Sequence, residues 1–137
     1  MCVGIPAAER AASPLEQPDV IRSVEPAHVT TPSGKFTTTR LVGARVVVLA
    51  QPGLTAEWLQ RLIDCHLAHM AAVGPAAAHA DACPLALPGV SATVTSVGDG
   101  FAVVIVADDE ESAAIVLARA RAIIEPIGHG STGGGKR

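Results

Sequence analysis

The chain has 137 residues, a formal net charge of −3 and 49% hydrophobic residues, while aromatic residues make up only 2% of it; this is room for one domain with a core of small and branched side chains. Few rings are on offer to stack on bases, and the Lys and Arg residues are scattered, so nucleic acid is excluded as a partner class. No apolar run approaches the roughly 20 residues of a transmembrane segment.

Residues 1–35 hold Pro6, Pro14, Pro18, Pro26 and Pro32 among Ala, Ser and Glu. No apolar period is sustained there, and such a stretch cannot offset its ordering entropy, so it reads as a disordered arm. From Phe36 to Ala50 the β-branched content rises, through Thr37, Thr38 and Thr39 to Val46, Val47 and Val48, and a strand is expected. Gly43 marks a bulge or bend within it. After Gln51, Pro52 and Gly53, Thr55 caps a strongly amphipathic helix over residues 54–74, with Glu57 in its first turn. Gly74 and Pro75 end that helix. Residues 76–89 form a linker, and the alternation from Val90 to Val97 gives a strand with one wet face. Gly98, Asp99 and Gly100 form a tight turn, and Phe101 to Ala107, apolar throughout, is a central strand. Asp108 or Asp109 caps a last helix over residues 110–125, which Pro126 ends.

The order strand, helix, strand, strand, helix predicts an α+β fold. It is a ferredoxin-like split β-α-β arrangement (β-α-β-β-α), with both helices on one face of an antiparallel-rich sheet. Its domain spans residues 36–126, between the arm and a flexible Gly-rich tail at 127–137. The first and third strands lie in the middle and the second at an edge. The other edge, beside residues 44–50, is a pairing hazard; either residues 36–41 fold back over it or a second subunit covers it.

The chemical oddity is the helix at 54–74, which puts His66 inside its apolar arc, His69 beside Trp58 and Cys65 on the arc's edge. Residues three apart on a helix are neighbours, so His66 and His69 can reach one ion, with Met70 nearby. His79 and Cys83 in the linker complete a soft nitrogen and sulfur set of the kind that favours copper(I) or zinc. The rival reading is a disulfide between Cys65 and Cys83, closing a loop of about 18 residues worth roughly 3 kcal/mol and requiring an oxidising compartment. Nucleophilic catalysis is not expected. Cys65 and His66 diverge by about 100° on the helix, and no glycine-rich oxyanion loop accompanies them.

The opening hexapeptide Met1, Cys2, Val3, Gly4, Ile5 and Pro6 resembles that of hydrogenase-maturation chaperones of the HypC/HupF type. The resemblance implies that Cys2 helps to carry iron, although Ala7, Ala8, Glu9 and Arg10 then replace the family's usual continuation. In topology the domain resembles heavy-metal-associated domains, without their paired cysteines. No secretory signal is visible at the start of the sequence, and read literally this makes the cytoplasm the expected location. If the start is mis-assigned, Cys2 followed by a proline-bearing arm is the layout of a cell-envelope lipoprotein. The expectation is a small non-enzymatic binding domain, holding a soft metal through Cys65, His66, His69, His79 and Cys83 or offering a sheet edge to a protein partner or to a second copy.

Overall fold

A computed structural model describes residues 20–73 and 83–124. Six elements follow one another: β1 (Ile21–Ser33), β2 (Phe36–Leu49), α1 (Ala56–Val73), β3 (Ser91–Val97), β4 (Gly100–Val106) and α2 (Glu110–Ile124). The strands pair antiparallel in the order β1-β2-β4-β3, and both helices share one hydrophobic core with the sheet. The fold is α+β. As their composition requires, β4, apolar throughout, and β2, apolar in its second half except at Arg45, hold the middle, and the alternating β3 lies at an edge.

The strand β1 corrects the reading of residues 1–35 as a disordered arm, because residues 21–33 pair along β2 from Ile21↔Val48 to Ser33↔Phe36. Pro26 and Pro32 do not break it. At an edge, proline is tolerated wherever its missing N–H would have pointed away from the sheet. β1 fills the edge beside residues 44–50, which had been expected to be covered by residues 36–41 or a second subunit. The order is therefore β-β-α-β-β-α. The edge that a strand after the last helix would take in a ferredoxin-like sheet is held here by one before the first helix. Residues 1–19 and 125–137 lie outside the described residues.

Register fixes which side chains form the core. Ala44, Val46 and Val48 stand opposite Ile105, Val103 and Phe101, and all six are buried. Against them pack Leu59, Ile63 and Met70 of α1, and Ala113, Val116, Leu117 and Ala120 of α2. The alanines let α2 approach β2 closely, and small side chains replace the missing aromatics in filling the core.

Two local devices set the shape. Val42 is an extra residue between the pairs Ala27↔Gly43 and His28↔Leu41, a bulge at the place where Gly43 was expected to mark one. Its carbonyl accepts the Ala107 N–H at 2.8 Å, and a Cβ on Gly43 would run into the Ile105 carbonyl. β4 pairs with β2 only from Gly43 to Leu49. Residues 28–33 and 36–41 therefore pair only with each other, as a two-stranded ribbon projecting beyond the sheet.

Each helix starts on its expected cap. The Trp58 N–H donates to Thr55 Oγ1 at 3.1 Å, and the Ser112 N–H donates to Asp109 Oδ1 at 2.7 Å. The Ser112 backbone and side-chain hydrogen bonds hold the Asp109 carboxyl below its ordinary value, because they favour the charged form. Among the described residues no helix is long and apolar enough to cross a membrane.

Candidate functional site

The stripe that α1 turns to the core contains Leu59, Ile63, His66 and Met70, at spacings of four, three and four residues, which keeps them on one side of a helix. His66 is thus carried inside an apolar row, with 1% of its surface exposed. A polar ring in such a place needs a partner, and the linker provides it: Nε2 lies 3.3 Å from Sγ of Cys83, itself 2% exposed. With the proton on Nε2 the ring donates to sulfur; in the other tautomer the thiol donates to nitrogen. Nδ1 of the same ring is buried and makes no hydrogen bond among the described residues.

Cys83 is held from a second side. Its carbonyl accepts Nη1 of Arg119 from α2 at 3.1 Å and the Ala86 N–H at 3.2 Å. The second bond closes a turn that buries Pro84 and Leu85. The end of the linker is therefore tied to α1 by sulfur and to α2 by oxygen.

The remaining sequence candidates do not join this pair. Cys83 keeps its thiol, which corrects the expected Cys65–Cys83 disulfide. Cys65 precedes His66 by one position and so points about 100° away on the helix, and the imidazole takes the place beside Cys83. Cys65 is fully buried and has its own bonding partner. His69 is half-buried on the flank of α1. Among the described residues no three His, Cys, Asp or Glu side chains converge on a point where a metal could sit, so the expected pairing of His66 with His69 on one ion is not formed. His79 and Cys2 lie outside the described residues.

The chain matches no family model, no curated protein and no solved structure. Its chemistry is read from its own geometry.

Two polar residues were not singled out by the sequence. Arg119 gives no signal beyond a cation in a helix. Gln60 falls opposite the apolar arc on the wheel, yet it lies only about 90° from the centre of the observed stripe, on the flank facing β3. There its Nε2 donates to the Ala92 carbonyl at 2.9 Å and its Oε1 accepts the Val94 N–H at 2.7 Å. Nε2 also reaches Asp64 Oδ1 at 3.0 Å. One side chain thus satisfies two outward-facing backbone groups of an edge strand, a safeguard against unwanted pairing.

Proposed function

We propose that this chain is a small non-enzymatic binding domain that takes a soft d10 metal ion, copper(I) by preference, at His66 and Cys83. The observation that carries this reading is the 3.3 Å separation of Nε2 and Sγ on two elements distant in sequence. Nitrogen and sulfur ligands at about 2.0 and 2.3 Å from a tetrahedral ion stand about 3.5 Å apart. An ion can therefore replace the shared proton with shifts of a few tenths of an ångström. Thiolate, imidazole and thioether are the donors such an ion prefers. Met70, one helical turn beyond His66, belongs to the same core as Cys83 and supplies the thioether. Metal binding would displace the proton of the pair and so would be favoured by rising pH.

The test uses silver(I), which has the same preferences without redox chemistry, titrated calorimetrically into the unreduced protein. One equivalent is expected to bind, with binding lost in Cys83→Ser and in His66→Leu, weakened about tenfold in Met70→Leu, and retained in Cys65→Ser. Circular dichroism confirms that each variant is folded. No binding by the parent protein, or equal binding by folded Cys83→Ser, overturns the reading.

A further inference from the structure

The sheet has three stretches of unpaired strand edge among its described residues, and they are treated differently. The outer edge of β3 is met by Gln60, which bonds Ala92 and Val94. Those two residues therefore face outward, and Ser91, Thr93, Thr95 and Val97 face β4. Alternation across the sheet then assigns every other strand. Phe101, Val103 and Ile105 face β2, and Arg45 and Val47 face β1. In β1 the odd residues from Ser23 onward face β2, and the outward positions are Val24, Pro26, His28, Thr30 and Pro32. Two of those five lack an N–H, so this edge is blunted. The third stretch is the side of β2 beyond the end of β4. There the groups of Thr37, Thr39 and Leu41 point outward, with no proline and no acidic residue, in a run of high β propensity. β4 leaves this slot at Val106, and Ala107 closes its upper end on Val42.

We propose that this slot is filled by the same stretch of a second copy, antiparallel about a two-fold axis through Thr38. The sequence is self-complementary in that register. Thr38 stands opposite Thr38, Thr37 opposite Thr39, and Phe36 opposite Arg40, so no cation meets a cation. The Thr37 and Thr39 pairs exchange about four backbone hydrogen bonds, and the hairpin tip of each copy stops short of the other's Ala107. Phe36, Thr38 and Arg40 share one face of the ribbon with Val29, because Val29 pairs with Arg40 and Ser33 with Phe36. Phe36 is 78% exposed and Val29 40%. Dimerisation lays each guanidinium against the ring of the other copy, a contact favourable both as a cross-strand pair and as a cation over a π face. A foreign partner needs none of this internal matching. The interface is small, and the dimer is a weak one. This inference does not depend on the metal reading.

Sedimentation equilibrium of the full chain from about 10 μM to about 1 mM tests it. A reversible monomer–dimer equilibrium is expected. Phe36→Lys sets two cations opposite each other and abolishes it, whereas Phe36→Glu sets a carboxylate opposite Arg40 and keeps it. Thr37→Pro, which removes an outward N–H without costing the ribbon a bond, also abolishes it. Thr30→Pro, on the other edge of the same ribbon, leaves it intact. A monomer throughout the range, or a dimer indifferent to the sign of charge at position 36, overturns the proposal.

Discussion

Replacing Gln60 by alanine is expected to open the outer edge of β3. Two backbone groups lose their partner at once: the Val94 N–H, bonded at 2.7 Å, and the Ala92 carbonyl, bonded at 2.9 Å. A hydrogen bond contributes about 0.5–1.5 kcal/mol net, so the pair bounds the loss at about 1–3 kcal/mol. The site is only part-buried, and water recovers some of this, which places the expected loss near 1.5 kcal/mol. With a urea slope of about 1 kcal/mol/M for a domain of this size, the midpoint falls by about 1.5 M. The local signature is more specific than the global one: the Val94 amide, protected in the parent protein, should exchange with solvent at least tenfold faster. Gln60→Glu separates the two bonds. It keeps an acceptor for Val94, yet turns a carboxylate toward the Ala92 carbonyl and Asp64, so Val94 stays protected while stability still falls. Unchanged exchange at Val94 in Gln60→Ala, together with a midpoint within about 0.3 M of the parent, would refute the bridging role.

Gly43→Ala drives a methyl group into the Ile105 carbonyl and should cost about 1–3 kcal/mol by forcing β2 and β4 apart; a thermal midpoint equal to the parent's would show that the strands do not meet as closely as described. The Asp109 carboxyl has its pKa lowered in the folded state, so its contribution is present above the unfolded value of about 3.9 and is lost as pH falls through the folded one. The stability difference between the parent and Asp109→Asn should therefore shrink on acidification from about pH 5 to about pH 3, and a constant difference in denaturant titrations at those pH values would contradict this. Cys83, buried with an intact thiol, should resist iodoacetamide in the native protein and be alkylated in denaturant without prior reduction. Peptide mapping that finds it unmodified in denaturant would restore the bridge to Cys65.

Much of the scaffold is legible in the residues because its signals are local. Thr55 and Asp109 are caps by chemistry, and Ala44 to Val48 is apolar at every position but Arg45 because both neighbouring strands and a helix cover that strand. The miss at β1 has a physical cause: Pro26 and Pro32 carry the signature of disorder, and only the sheet reveals that their missing N–H groups lie on the outward side of an edge. At the candidate site, helical periodicity places His66 in the core. That its partner is Cys83 depends on how residues 83–87 turn between the helices, which no local signal records. Gln60 falls opposite the apolar arc because a wheel describes one helix alone, whereas the strand it caps is 32 residues away.

The four strands are two hairpins, each closed by two residues, Gly34 with Lys35 and Gly98 with Asp99, and they meet along one line between β2 and β4. Within a hairpin, partners are close in sequence; across the line, Val46 finds Val103 only after 57 intervening steps along the chain. Loop closure makes that meeting the entropically costly one, so the mating of the two hairpins is expected to limit the rate of folding. The line is finished at both ends by a residue without a side chain: Gly43 lies against Ile105, and Gly100 lies against the carbonyl of Val48. A substituent at either end acts as a wedge between the two hairpins, which should weaken the line that joins them while leaving the pairing within each hairpin untouched.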